Sequence, residues 1–140
     1  MAKVVNITEA VSIGLHSMVI IALMGEKAHI NVNELAEKTG SSKFHISKVM
    51  QKLVKDGFLG STRGPSGGFY LIKSPKEVSL QDIYESIEGK LVVNKCPLNH
   101  PTCPFDSCIF EEVTVQMTKK FRDFIRDHTL DYYIQNRKLS

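Results

Sequence analysis

All three cysteines of this 140-residue chain fall within one stretch, CPLNHPTCPFDSC, at positions 96–108. Thiolate sulfur is a soft ligand that suits zinc, copper(I) and iron–sulfur clusters. Grouped thiols in a reducing compartment are more often metal or redox sites than disulfides. The stretch therefore predicts a metal, cluster or redox site at Cys96, Cys103 and Cys108.

The spacing of these cysteines, C-x6-C-x4-C, favours one kind of site. Paired ligands of a structural zinc site lie about two to four residues apart, so the first gap is too wide for a usual zinc loop. A disulfide would leave one thiol over. An iron–sulfur cluster, 2Fe-2S or 4Fe-4S, is larger than a single ion and takes cysteine ligands. We therefore predict such a cluster, which needs one further ligand.

Four residues are candidates for that further ligand. His100 lies within the cysteine loop, and Glu9, Ser12 and His16 lie near the start of a predicted first helix. Ser12 and His16 are four residues apart, so they share one helix face and could meet a cluster held by the same chain or by a partner chain. The alternative is that His16 is an ordinary core residue and His100 a solvated loop residue.

The predicted first helix begins after Thr8 and ends at Gly25. It is apolar nearly all round, which predicts burial on more than one side. The uncharged run at 10–25 is shorter than the roughly 20 apolar residues a bilayer requires, and Glu9 at its start argues against a secretory signal. We expect no membrane association and, with an odd number of cysteines, a cytoplasmic protein.

Two short helices joined by a tight turn are predicted next. Asn31 or Asn33 caps the first, Gly40 ends it, and serines at positions 41 and 42 open the second. Apolar residues of the second helix recur at i, i+3, i+4, i+7 and i+8, which gives one buried face. These residues are Ile46, Val49, Met50, Leu53 and Val54. Such a pair is a helix-turn-helix.

The segment GFLGSTRGPSGGFYLIKSP, which follows directly, predicts a β-hairpin. Strands are expected near 58–62 and 69–73, with a glycine-rich turn between them. A hairpin in this position is the wing of a winged helix. Its tip carries Arg63 beside Gly64, and glycines there allow the backbone to approach a phosphate chain or minor groove closely.

Charge is distributed unevenly along the chain. Residues 41–76 hold seven Lys or Arg against one Asp, a net charge of +6, whereas the whole chain carries only +3. A basic block of this kind is typical of a nucleic-acid-binding face. A solvated lysine-rich surface is the alternative. The wing next to the basic helix favours DNA, with Lys52 on the outer face of that helix among the expected contacts.

The C-terminal part is predicted to be helical on both sides of the cysteine loop. Ser79 caps a helix that ends at Gly89, and residues 109 to about 134 read as one long helix. The long helix carries an apolar stripe of Phe110, Val113, Met117, Phe121, Phe124 and Ile125. A partner subunit would cover it, since a two-fold dimer presents two recognition helices to a palindromic operator. Packing against the first helix is the alternative cover.

These elements predict a mostly α-helical fold with a small β-hairpin wing and a long C-terminal dimerisation helix. We divide it into a winged helix-turn-helix DNA-binding domain at 1–76 and a cluster-binding loop with the dimerisation helix at 77–140. The chain has no glycine-rich phosphate loop, paired carboxylate motif or recognisable nucleophile setting, so an enzyme is not expected.

Over nearly its whole length the chain resembles the winged-helix iron–sulfur transcriptional regulators of the IscR/NsrR type. The resemblance is carried by HISKVMQKLVKDGFLGSTRGPSGGFYL, the DIYESIEG helix, the cysteine loop and the terminal helix. The R-G-P-x-G-G wing joined to three downstream cysteines is a specific combination. It implies a homodimeric bacterial regulator, expected to be a repressor, whose cluster senses iron, redox state or nitric oxide. The alternative is a regulator of the same fold without a cluster, acting as a thiol switch or through a partner protein.

The resemblance also implies particular contacts. DNA contacts would fall on Ser42, Phe44, His45, Ser47 and Lys48 of the recognition helix, and on Arg63, Gly64 and Pro65 of the wing. At the position of Ser47, the cluster-assembly regulators carry a glutamate that they use to select their operator class. Because this chain has a serine there, the resemblance does not indicate which operator sequence it binds. Some relatives take the fourth cluster ligand from the first helix of the partner subunit, near Ser12 and His16. Others use a histidine after the third cysteine, and none lies soon after Cys108.

Overall fold

The structure, a computed structural model, describes residues 1–2, 7–96, 98 and 102–140. Within these residues it is mostly helical with one two-stranded antiparallel sheet, which confirms the predicted fold class. In chain order the elements are α1 (Glu9–Met24), α2 (Val32–Thr39), α3 (Lys43–Lys55), β1 (Leu59–Thr62), β2 (Gly68–Leu71), a short 3-10 helix (Pro75–Glu77), α4 (Leu80–Glu88), α5 (Val113–Asp127) and α6 (Leu130–Asn136).

Helix starts follow the predicted caps. Thr8, Asn31, Ser42 and Ser79 each accept a hydrogen bond at the side-chain oxygen from the backbone N–H three residues later. The Asp82 carboxylate in turn accepts a hydrogen bond from the backbone N–H of Ser79, which completes a capping box. These local interactions satisfy backbone groups that a helix leaves unpaired at its start.

Helix α1 lies at the centre of the molecule. Its buried residues Ile13, Met18 and Ile21 belong to one core with residues of α3, α4, α5 and α6. The predicted burial of α1 on more than one side is therefore confirmed. None of the described helices is long and apolar enough to cross a membrane.

The wing is joined to the helix-turn-helix by a backbone bridge that the sequence did not predict. Strands β1 and β2 pair with Leu59 opposite Leu71, and Ile30, just before α2, pairs with Phe69 on the free edge of β2. The Ile30 N–H donates to the Phe69 carbonyl at 3.0 Å, and the Phe69 N–H donates back at 2.8 Å. The hairpin is therefore fixed to the segment that leads into α2.

The predicted single helix over residues 109–134 is wrong. Helix α5 begins only at Val113, because the chain first makes a turn in which the Glu111 N–H donates to the Cys108 carbonyl at 2.9 Å and Glu111 has a φ of 54°. It ends at Asp127, because residues 128–130 form backbone hydrogen bonds with residues 78–80. Helix α6 then packs against α1, so the alternative of folding back on the first helix is confirmed for this part.

Candidate nucleic-acid interface and cysteine site

Helix α3 presents a polar outer face opposite its buried residues. Ser42, Phe44, His45 and Lys48 are exposed on it, whereas Ser47 is half-buried. Phe44 is 65% exposed, and the Lys48 Nζ lies 4.6 Å from the centroid of its ring. This spacing is that of a cation–π contact. The face therefore combines positive charge, hydroxyl groups and one large apolar side chain.

Basic residues on this face differ in their partners. Lys52 Nζ lies 2.9 Å from an Asp56 carboxylate oxygen, and the Ser86 hydroxyl of α4 donates to the same carboxylate. The Ser86 hydrogen bond, followed by the one from Lys52, holds the pKa of Asp56 below its ordinary value. Among the described residues neither Lys48 nor Arg63 forms an ion pair. Lys48 and Arg63 are therefore better placed than Lys52 to meet an outside anion.

Helix α1 reaches the same face through one contact. The His45 Nδ1 of α3 lies 3.3 Å from a Glu9 carboxylate oxygen at the start of α1. Glu9 is a candidate cluster ligand and His45 a candidate DNA contact, so two residues assigned to different roles touch each other. Nothing in their sequence positions indicates the contact, because it depends on how α1 packs across α3.

The wing tip is an exposed, tight turn. Arg63 is exposed next to Gly64, and the Gly67 N–H donates to the Gly64 carbonyl at 3.0 Å, with Pro65 and Ser66 between them. Gly64 has a φ of 101°, a conformation that favours glycine. The backbone of the tip is thus accessible beside a guanidinium group, which suits contact with a phosphate chain.

Cys96, Cys103 and Cys108 line a single cavity of about 240 Å³. Its other walls are mainly apolar, formed by Leu98, Thr102, Pro104, Phe105, Ile109 and Phe110. The described residues contain no group of three or more His, Cys, Asp or Glu placed to hold a single metal ion. Three thiols that line one apolar space have the donor chemistry that an iron–sulfur cluster requires.

The candidate ligands on α1 lie at a different cavity. His16 Nδ1 is 2.7 Å from the Ser12 carbonyl oxygen, and because a carbonyl only accepts, Nδ1 is the donor in this hydrogen bond. His16 is exposed, so it is not a core residue. Ser12 and His16 line a cavity of about 330 Å³ together with Lys38. No described residue lines both this cavity and the cavity of the three cysteines. The other candidate, His100, lies outside the described residues.

Comparisons with known proteins agree with this architecture. The profile of the family described as "Rrf2: Iron-dependent Transcriptional regulator" matches residues 7–136. The chain is 23% identical over 123 residues to "HTH-type transcriptional regulator IscR" of Pectobacterium carotovorum subsp. carotovorum (strain PC1), covering 88% of this chain and 75% of that protein.

Solved structures show the same fold. "The Structure of CymR (YrzC) the Global Cysteine Regulator of B. subtilis" superposes with a TM-score of 0.75 at 18% identity, covering 94% of this chain and 97% of that one. "T. potens IscR" gives a TM-score of 0.74 at 20% identity, covering 95% of this chain and 88% of that one.

Proposed function

This chain belongs to the Rrf2 family of transcriptional regulators, and we propose that it is a DNA-binding repressor whose operator affinity depends on an iron–sulfur cluster. The observation that carries the proposal is the exposed basic face of α3 beside an anchored, glycine-rich wing. In a helix-turn-helix this second helix enters the major groove. The protein acts in the cytoplasm on double-stranded DNA.

Each part of the interface has its own task in this proposal. Recognition-helix contacts come from Ser42, Phe44, His45, Ser47, Lys48 and Lys52, and wing contacts from Arg63, Gly64 and Pro65. Side chains near the start of α3 meet base edges, whereas the lysines and Arg63 meet phosphates. Phosphate contacts release counterions, so affinity falls steeply with salt concentration.

Measuring the salt dependence of duplex binding tests the DNA-binding proposal. Fluorescent duplexes carrying sites selected from a random library are titrated with protein at several salt concentrations. A steep fall of log affinity against log salt is expected, together with a shallower slope for Arg63→Ala. A shallow slope that Arg63→Ala leaves unchanged would point to a protein partner instead.

Cys96, Cys103 and Cys108 would hold the cluster, since they share one apolar cavity. When bound, such a cluster supplies a site whose charge and ligation change with iron, redox state or nitric oxide. The fourth ligand is proposed to come from Glu9, Ser12 or His16 of the partner subunit, or from His100. Partner donation is favoured because the cavities of the cysteines and of Ser12 and His16 share no described lining residue.

The cysteine loop leads into α5 through a turn in which the Glu111 N–H donates to the Cys108 carbonyl. Ile109, Val113 and Met117 are exposed there, at 69%, 51% and 40%. Three exposed apolar side chains on one segment favour a second protein surface that packs over them. We propose a homodimer through this surface, so that the two α3 helices face the half-sites of a palindromic operator. Residues 1–76 then read DNA, and residues 77–140 hold the cluster and join the subunits.

A second candidate is a regulator of the same fold that works without a cluster, as a thiol switch or through a partner protein. The exposure of Cys103 favours it, because an accessible thiol is open to oxidation. Iron and acid-labile sulfide analysis of protein purified without air separates the two candidates. Iron and sulfide bound by the wild type and lost from Cys103→Ala are expected, and protein free of both would support the thiol switch.

A further inference from the structure

Phe44 is an unusual residue for the outer face of α3. It is the second residue of the helix, is 65% exposed, and lies among polar and charged neighbours. The N-terminal residues of a recognition helix are those that reach base edges in the major groove. On the proposed function, Phe44 therefore enters the groove as an apolar ring rather than as a hydrogen-bonding group.

Two neighbours restrain this ring. Lys48, one helical turn later, places its Nζ 4.6 Å from the ring centroid. The ring of the next residue, His45, is tilted relative to that of Phe44 with the ring centroids 5.9 Å apart, and its Nδ1 lies 3.3 Å from a Glu9 carboxylate oxygen. A ring held under an ammonium group loses little conformational freedom when it docks, because its orientation is already favoured.

The chemistry of the major groove restricts what such a ring can contact favourably. The groove edges of the four bases carry hydrogen-bond donors and acceptors, and the apolar group among them is the C5-methyl of thymine. Covering a donor or acceptor with a phenyl ring leaves it unsatisfied, whereas covering a methyl removes apolar surface from water. The same methyl occurs on 5-methylcytosine.

We propose that Phe44 reads a pyrimidine C5-methyl in each half-site of the operator. This inference rests on the proposed DNA-binding function and adds a base preference to it. Phe44 is then a specificity-determining residue, while Lys48 above its ring supplies affinity through a neighbouring phosphate.

Removing single methyl groups from the operator tests the inference. Sites are selected from a random duplex library, and each thymine is replaced in turn by deoxyuridine, which lacks only the methyl. Wild-type protein is expected to lose affinity about fourfold at one position of each half-site, the effect of one buried methyl group. Phe44→Ala should bind more weakly and show no such sensitivity at that position.

A second arm identifies the base that carries the methyl. Cytosine and 5-methylcytosine are placed at the sensitive position, paired with guanine. The methylated base should bind more tightly than cytosine to the wild type but not to Phe44→Ala. A thymine duplex that binds more tightly than the 5-methylcytosine duplex assigns the site to thymine, and the reverse order assigns it to methylated DNA.

Lys48→Ala is the matched control. It should weaken binding to every duplex while keeping the full loss on methyl removal. Uracil substitution without effect at every position, or a sensitivity that persists in Phe44→Ala, would overturn the inference although DNA binding stands. A wild-type protein that binds no duplex would instead overturn the proposed function itself, and the inference with it.

Discussion

The lysines on the basic face of α3 differ in whether they form an ion pair within the described residues. Lys52 is held 2.9 Å from Asp56, whereas Lys48 lies over an aromatic ring. A lysine that already has a carboxylate partner releases fewer counterions on meeting a phosphate. The formal charge of a segment, which counts both lysines equally, therefore overstates its contribution to DNA affinity.

This division predicts different salt slopes for two alanine variants. Lys48→Ala should reduce the slope of log affinity against log salt by about one unit, and Lys52→Ala by clearly less. The measurement is duplex binding by fluorescence anisotropy across a salt series, with both proteins checked for an unchanged circular dichroism spectrum. Equal reductions in the two variants would show that Asp56 does not restrain Lys52 in solution.

A second prediction at this scale concerns the pKa of Asp56. Ser86 of α4 and Lys52 lower it, so their interactions with the carboxylate stabilise the fold above the ordinary carboxyl pKa of about 3.9 and stop doing so as pH falls through the lower folded value. Ser86→Ala should raise the pKa of Asp56 toward its ordinary value and reduce the free energy of unfolding at neutral pH.

Carboxyl titration by nuclear magnetic resonance and chemical unfolding across pH check this prediction. The stability difference between wild type and Ser86→Ala should begin to shrink as pH falls below about 4 and should vanish below the lowered pKa of Asp56 in the folded wild type, because the carboxyl is by then protonated in both proteins. Ser61→Ala, at an exposed position of β1, is the control and should leave the Asp56 titration unchanged. An Asp56 pKa that is unchanged in Ser86→Ala would show that the hydrogen bond from Ser86 of α4 to Asp56 at the end of α3 does not form in solution.

At the scale of elements, local signals predicted what local interactions determine. Thr8, Asn31, Ser42 and Ser79 are caps because their side chains bond to backbone three residues away, a distance that a sequence displays directly. The end of α5 at Asp127 has a distant cause, the pairing of residues 128–130 with residues 78–80. Apolar periodicity continues across that break, so it could not indicate where the helix stops.

The bridge between Ile30 and the wing gives a prediction for Gly68. This residue has a φ of 144°, and a Cβ there would lie 2.6 Å from the backbone carbonyl of Ile30. Gly68→Ala should lower the free energy of unfolding by about 1–3 kcal/mol or more, because strain and a backbone clash add together. Gly64→Ala, which also has a positive φ but open space around it, should cost less.

Denaturant unfolding monitored by circular dichroism measures both glycine variants. The difference between them isolates the close approach to Ile30 from the backbone strain that they share. Equal losses of stability in the two variants would indicate that the bridge from Ile30 to the wing contributes nothing to the fold in solution.

At the scale of the whole molecule, the exposed apolar side chains of α5 support the proposed homodimer. Met117→Glu places a charge on the proposed interface, so it should convert a dimer to a monomer and weaken binding to a palindromic operator. Gln116→Glu adds the same side chain at the neighbouring exposed position of the same helix and should remain dimeric. Sedimentation velocity distinguishes the two, and a wild-type monomer would contradict the proposed dimer.

The sequence predicted only part of the candidate site, because some of its residues are close in sequence and others are brought together only by the fold. Three cysteines within one short stretch are recognisable without a structure, and they line one cavity. The fourth ligand depends on which distant residues the fold, or a second subunit, brings to that cavity. Sequence spacing within α1 could show that Ser12 and His16 share a face, but not that this face borders a separate cavity.

Operator affinity measured with and without the cluster tests the central claim most directly. Protein reconstituted anaerobically with iron and sulfide, its apo form, and Cys108→Ala are titrated against one selected duplex at fixed salt. The wild-type loaded and apo forms should differ in affinity about fivefold or more, and Cys108→Ala should show the same affinity with or without iron and sulfide. Identical affinities for the loaded and apo wild type would contradict control of DNA binding by a cluster.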